Sequence, residues 1–173
     1  MAETLHIRTA RPGDQQALDR LLGQSYPALL KTAYPPSIMV TAVPLISRAK
    51  PELIVSGSYF VVTCADGAEE GCIVGAGGWT ARERGTGRVG VSATGHVRHV
   101  VTDHRRVRQG IGRALMGHVI ETARGAGMSR LDCLSTLNAE AFYRACGFET
   151  REPVTVPLRA GIDFPAIRMQ RSL

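Results

Sequence analysis

The chain has 173 residues, 21 basic side chains against 15 acidic ones, a formal net charge of +6, and 44% hydrophobic residues. That length suits one domain over residues 1–173 with one core, and that apolar content excludes a disordered chain. There is no apolar run of membrane-spanning length and no hydrophobic signal-peptide core in MAETLHIRTARPGD, so neither a membrane nor secretion is expected.

Cys64, Cys72, Cys133 and Cys146 form no C-x-x-C pair and read as buried free thiols of a reducing compartment, the cytoplasm. Only Lys31 and Lys50 are lysine; every other basic residue is arginine, whose fork suits phosphate and carboxylate. Arg105, Arg106, Arg108 and Arg113 cluster. Without zinc-finger spacing or an aromatic RNA-binding signature, a local phosphate explains them better than nucleic acid does. No metal site is expected.

In chain order, Leu5–Ala10 reads as a strand, broken by Pro12-Gly13-Asp14. Asp14 is placed to cap a helix running to about Gln24 that buries Ala17, Leu18, Leu21 and Leu22. Prolines at 27, 35, 36 and 44 cut residues 25–50 into one or two short helices with loops. Ser58–Cys64 and Cys72–Thr80 are strands joined by a turn at 65–71, and a charged, glycine-rich loop at 82–90 leads to a strand at Thr94–Thr102. From Gly110 to Arg124, Ile111, Leu115, Val119 and Ala123 make a helical apolar stripe. A strand at Arg130–Leu134 follows, implying a parallel crossover. A helix over Asn138–Cys146, capped by Asn138 and ended by Gly147, precedes closing strands at Pro153–Leu158 and Phe164–Gln170.

The stretch Arg105-Arg106-Val107-Arg108-Gln109-Gly110-Ile111-Gly112-Arg113 carries the chemistry. A strand feeds a loop that opens a helix. The first N–H groups of that helix lack internal acceptors and carry the positive end of its dipole, which suits phosphate. Two glycines let oxygens approach the main chain, and Arg108 and Arg113 add charge-assisted bonds. A Walker A loop is excluded because no Gly-Lys pair exists. A dinucleotide fingerprint would need glycine where Leu115 stands.

VRQGIGRAL followed by NAEAFYRACGF resembles the two cofactor motifs of the GNAT superfamily of N-acetyltransferases, a [Q/R]-x-x-G-x-[G/A] loop and a helix bearing F-Y-x-x-x-G-F. The similarity covers residues 94–148 and is weak before residue 58. One departure stands in it: Val107 falls where the family has Gln or Arg. The fold this resemblance implies is α/β of the α+β type: a mixed, mostly antiparallel sheet, helices on both faces, and fourth and fifth strands splayed apart.

The resemblance also implies acetyl-CoA as cofactor. Its pyrophosphate would lie on Val107, Arg108, Gln109, Gly110, Ile111, Gly112 and Arg113, and its acyl arm on the main chain of Val100, Val101 and Thr102. Asn138 would bond the pantetheine or simply cap its helix. Tyr143 stands where the family carries the acid that protonates the leaving thiolate; packing is its other reading. Counting back fourteen residues from Gly110, where many relatives have a glutamate base, reaches His96, and His99 is the second choice. Strict alternation would put these histidines on opposite faces unless a bulge intervenes. Trp79 either lines the acceptor pocket or belongs to the core, and Arg98 either holds an acceptor carboxylate or lies on the surface. The implied reaction is direct transfer of acetyl to a small-molecule or peptide amine in a ternary complex. The alternative is a non-catalytic acyl-CoA-binding regulatory module, favoured by the absence of a carboxylate at 96. The family also allows a homodimer through the C-terminal strands.

Overall fold

A computed structural model describes residues 4–64, 72–81 and 93–173. The turn expected at 65–71 and the loop expected at 82–90 lie outside the described residues. Strands β1 (Leu5–Thr9), β2 (Tyr59–Cys64), β3 (Ile73–Ala81), β4 (Thr94–Thr102), β5 (Arg130–Ser135), β6 (Glu149–Arg159) and β7 (Ile162–Ser172) form one seven-stranded sheet in the order β1-β2-β3-β4-β5-β7-β6. Only β4 and β5 pair in parallel; the other neighbours are antiparallel. The parallel pair requires a crossover, and α5 (Ile111–Gly125) supplies it.

Both faces of the sheet are covered. On one, α5 buries Ile111, Leu115, Met116, Val119, Ile120 and Ala123 against Phe60, Val62, Val74, Leu131 and Cys133, joined by Tyr143 from α6 (Glu140–Ala145). On the other, α1 (Gln15–Leu30) buries Leu18, Leu21 and Leu22 with Tyr59, Val61, Ala76 and Val101. Short helices α2 (Pro36–Thr41), α3 (Val43–Ile46) and α4 (Pro51–Ile54) complete that side. Tyr34, Val43 and Leu30 there meet Phe164 of β7 in a separate apolar cluster. No helix among the described residues is long and apolar enough to cross a membrane.

Glycine sets how closely α5 approaches. A Cβ at Gly75 would lie 2.8 Å from Ile111 Cγ2, and one at Gly77 3.2 Å from Leu115 Cδ2. The bare stretch of β3 lets the start of α5 settle onto the sheet.

Three local expectations need correction. First, α1 runs to Leu30, not Gln24, with Pro27 inside it. The stripe Leu18, Leu21, Leu22, Ser25 and Leu30 is buried, and that burial outweighs the hydrogen bond Pro27 cannot make. Second, Asp14 makes no side-chain cap to α1. Its carboxylate accepts both guanidinium nitrogens of Arg8 at 2.8 Å and the Arg11 N–H at 2.8 Å, and these bonds hold its pKa below the ordinary range. Third, Cys64 and Cys133 are buried, but Cys72 is exposed and Cys146 half-buried.

Candidate active site

The parallel pairing of β4 and β5 is short: Thr94↔Arg130, Gly95↔Leu131 and His96↔Asp132, and then the strands part. Beyond that point β4 stays with β3 (Ala76↔Val101, Gly75↔Thr102), while β5 stays with β7 as far as Ser135↔Ile167. The splay implied by the resemblance is therefore present. It leaves one edge of β4 with main-chain groups that no strand takes up, a natural berth for an extended amide-bearing arm.

A distortion of β4 lies at the mouth of this gap. The β3–β4 register shifts between Ala76 and Gly78, and His99 has φ of 44°, in the left-handed region unfavourable to a residue with a Cβ. Two tyrosine hydroxyls pin it from the α1 side. Tyr59 donates to the His99 carbonyl at 3.0 Å and Tyr26 to the Val100 carbonyl at 3.2 Å. Burial raises the pKa of both phenols, so both stay protonated donors. The bulge also breaks strict alternation. Val97 and Val100 both face α5, whereas His99 has Lys50, Arg98 and Glu52 as its charged neighbours on the α1 side. Desolvation foremost, then Lys50 and Arg98, push the His99 imidazole down to about 4.

After β4, Asp103 organises the chain. It is buried, and its carboxylate accepts the Arg105 main-chain N–H at 2.9 Å, Arg105 Nε at 3.1 Å and Nη2 at 2.8 Å. Arg105 thus clamps the chain to Asp103 and, unlike Arg106, Arg108 and Arg113 of the same cluster, does not line the adjoining cavity. A turn at His104–Arg106 leads to Arg108 (φ 65°) and Gly110 (φ 82°), and α5 starts at once. The two glycines do different work. A Cβ at Gly110 would meet nothing within 4 Å, so this position needs glycine for its left-handed backbone. A Cβ at Gly112 would stand 3.0 Å from the Phe142 ring, so this one lets α6 pack against the start of α5.

These parts enclose a cavity of about 610 Å³. The predicted residues Val100, Val101, Thr102, Val107, Arg108, Gly110, Ile111, Gly112, Arg113 and Asn138 all line it; the exposed Gln109 does not. Arg106, Tyr26, Leu29, Thr136 and Phe142 line it as well. The contribution of α1 was hidden by Pro27, although the spacing Leu22, Tyr26, Leu29, Leu30 continues the helical stripe past it. Coenzyme A fits these residues. The N–H groups of Ile111, Gly112 and Arg113 have no acceptor within α5, open space lies beside Gly110, Arg106, Arg108 and Arg113 ring the site, and the unpaired edge of β4 continues from it.

Asn138 does not cap α6, whose N-cap is Ala139. Instead its Nδ2 donates to the Leu29 carbonyl at 3.2 Å, tying the end of α1 across the cavity to the start of α6. Tyr143 is buried outside the cavity wall, edge-on between Phe142 and Phe148, with its hydroxyl bonded to the Cys133 thiol. Burial raises its pKa well above the ordinary phenol, and burial likewise pushes the Cys133 thiol up to about 12. His96 lies in the paired part of β4, opposite Thr80 and Asp132, at the vertex of the splay and not on the cavity wall. Trp79 belongs to the core, its Nε1 donating to Thr122 Oγ1 at 3.1 Å.

Residues 25–148 match the sequence profile of the Acetyltransferase (GNAT) family. The glucosamine 6-phosphate N-acetyltransferase 1 of Oryza sativa subsp. japonica is 31% identical over 97 residues, 56% of this chain and 58% of the rice protein. The match thus spans little more than half of that relative. The GCN5-related N-acetyltransferase from Rhodopseudomonas palustris superposes with a TM-score of 0.76 at 16% identity, covering 100% of this chain and 98% of that one. The PaiA N-acetyltransferase from Thermoplasma acidophilum, solved with coenzyme A, gives 0.69 at 12% identity, covering 98% and 99%. At these identities both likenesses speak for the fold alone.

Proposed function

Because the chain belongs to the GNAT acetyltransferase family, whose members draw on acetyl-CoA, we propose that it binds acetyl-CoA between β4 and the α5–α6 pair and transfers the acetyl group to an amine by direct attack in a ternary complex. The observation that carries this reading is the continuity of one groove. The free edge of β4 beyond His96↔Asp132 runs into the cavity, and the cavity ends on the exposed amides of α5.

When bound, acetyl-CoA supplies the activated thioester. The chain's residues do the rest. The amides of Ile111–Arg113 and the guanidinium groups of Arg106, Arg108 and Arg113 seat the pyrophosphate. The main chain of Val100–Thr102 aligns the arm, and the bulge pinned by Tyr26 and Tyr59 fixes which N–H meets the carbonyl oxygen where charge develops. Tyr143, kept protonated by burial, is the donor the family resemblance assigns to the departing sulfur, a role for which its hydroxyl would have to leave Cys133 and turn into the cavity. His96, at the vertex beside Asp132, is the group assigned to relieve the acceptor ammonium of its proton.

A free-thiol assay with acetyl-CoA across a broad amine panel tests the proposal. Thiol release with at least one amine, together with saturable acetyl-CoA binding, is the expected result. The second reading, a non-catalytic acyl-CoA-binding module, is favoured by one observation: neither Tyr143 nor His96 lies on the cavity wall. Tight acetyl-CoA binding without thiol release on any amine would select it.

A further inference from the structure

The face of the sheet turned toward α1 carries a charged group at the vertex of the splay. His96, Arg98, Arg130, Asp132 and Arg168 come from three adjacent strands, β4, β5 and β7. Two of the three guanidinium groups have carboxylate partners, although Arg130 Nε, like Arg98 Nε, has no hydrogen-bond acceptor. Arg130 Nε lies 3.4 Å from Asp132, and its Nη2 donates to Thr94 Oγ1 at 3.3 Å. Arg168 stands 3.8 Å from Asp132 and bonds Glu152 at 3.2 Å. Asp132 is thus countered from two sides, and with Glu152 included the three guanidinium groups meet two carboxylates.

The surplus charge is Arg98. It is half-buried, makes no ion pair with any carboxylate among the described residues, and has its Nε shielded from solvent without an acceptor. A half-buried guanidinium with an unmatched donor is costly unless something supplies the acceptor. The location narrows what that is. Arg98 lies two residues past the last β4–β5 pair, just before the bulge at His99. It faces α1, opposite Val97 and Val100, which face α5. The coenzyme cavity includes Val100, Val101 and Thr102 but not Arg98. On the acyl-transfer reading, an acceptor that approached the open edge of β4 from the α1 side would meet Arg98 there.

We propose that Arg98 is the recognition site for an anionic oxygen group, carboxylate or phosphate, on the acceptor amine, which makes this chain selective for acidic small amines. The inference rests on the acyl-transfer reading above and names the acceptor class for it. A planar fork suits both oxyanions.

The test uses matched amine pairs with acetyl-CoA: glucosamine 6-phosphate against glucosamine, and L-glutamate and glycine against their amides. Wild type, Arg98→Gln and Arg98→Lys are compared by thiol release, and acetyl-CoA titration reports that each variant folds and loads. In the wild type at least one acidic member should exceed its neutral partner by about 10- to 100-fold in kcat/KM, the range expected of a charge-assisted contact. The pair that responds tells phosphate from carboxylate. In Arg98→Gln the ratio should fall toward one, mainly through KM, with acetyl-CoA affinity retained. Arg98→Lys should keep part of it. Isothermal titration of the acidic amine into the CoA-loaded proteins should show the same loss of binding. Turnover without acidic preference, or a preference that survives Arg98→Gln, overturns the subsite and leaves the acyl-transfer reading standing. Acetyl-CoA binding with no turnover of any pair overturns both.

Discussion

Replacing Asp103 by Asn should loosen the coenzyme loop by a calculable amount. The wild-type carboxylate accepts three donors from Arg105, at 2.8, 2.9 and 3.1 Å. An amide keeps one acceptor oxygen for the main-chain N–H but turns its own NH₂ toward the guanidinium. A hydrogen bond to a charged group contributes about 1.5–3 kcal/mol. The Arg105 side chain is 63% exposed, so solvent discounts the loss to about 1–2 kcal/mol. For a chain of this length that is a fall in Tm of about 2–8 °C. Because this clamp precedes the left-handed residues Arg108 and Gly110, acetyl-CoA should also bind about 10-fold more weakly. The pH dependence has a definite sign. The bond from Arg105 holds the folded pKa of Asp103 below the ordinary carboxylate range. Its contribution is therefore fully present above the unfolded value of about 3.9 and lost as pH falls through the folded value. The gap in Tm between wild type and Asp103→Asn should persist from pH 7 to about 5 and close below about 4. Thermal melts across pH with calorimetric acetyl-CoA titration read all three effects. An unchanged Tm and an unchanged Kd would refute the argument that this clamp shapes the loop.

The two loop glycines should respond differently to alanine. Gly110→Ala forces a Cβ into a backbone with φ of 82°, costing about 1–2 kcal/mol, and lowers Tm and coenzyme affinity together. Gly112→Ala gains about 1 kcal/mol of helix propensity but drives a methyl to 3.0 Å from Phe142, so Tm should hold while affinity falls; equal responses of the two variants contradict the division of labour. Tyr34→Phe removes the donor to the Pro165 carbonyl (2.7 Å) and the acceptor of the Leu137 N–H (3.0 Å) inside the fold. It should cost about 2–4 kcal/mol, and a melt unshifted by it would show that the three segments do not depend on that hydroxyl. Tyr143→Phe should lower kcat with little change in acetyl-CoA affinity; if Tyr26→Phe takes the larger toll on kcat, the donor is the tyrosine on the cavity wall.

How much of this was legible in the sequence follows from what kind of force sets each part. The stripe of α5, the loop glycines and the succession of strands along the chain are local patterns, and ten of the eleven residues expected at the coenzyme site line the cavity. Local signals misled where a distant partner won. Pro27 marked an end to α1, yet burial of Leu30 carried the helix on. Asp14 and Asn138 were plausible caps, but a guanidinium at Arg8 and a carbonyl at Leu29 claimed them. Arg105 was grouped with phosphate ligands because its neighbour Asp103 gave no sign of being buried. The bulge at His99 was the least accessible of all. Nothing in GHVRHVVT marks it, since its cause is two tyrosines, 40 and 74 residues away in sequence.

That bulge also explains why the gap persists. Parallel strands would ordinarily zip along their full length, since every unpaired amide costs free energy when buried. Here β4 cannot follow β5 past His96↔Asp132, because Tyr59 and Tyr26 hold the carbonyls of His99 and Val100 toward α1. Meanwhile β5 is kept on β7 by an unbroken ladder to Ser135. The edge of β4 that would otherwise be sealed stays open beside the cavity. Along that edge no strand pairs with β4, and on the proposed reading a ligand with amides of its own would take the strand's place. The sheet is thus stable without closing because each of the diverging strands has a partner on its far side, and the open edge between them is what would make an extended thioester arm, as proposed, a complementary ligand.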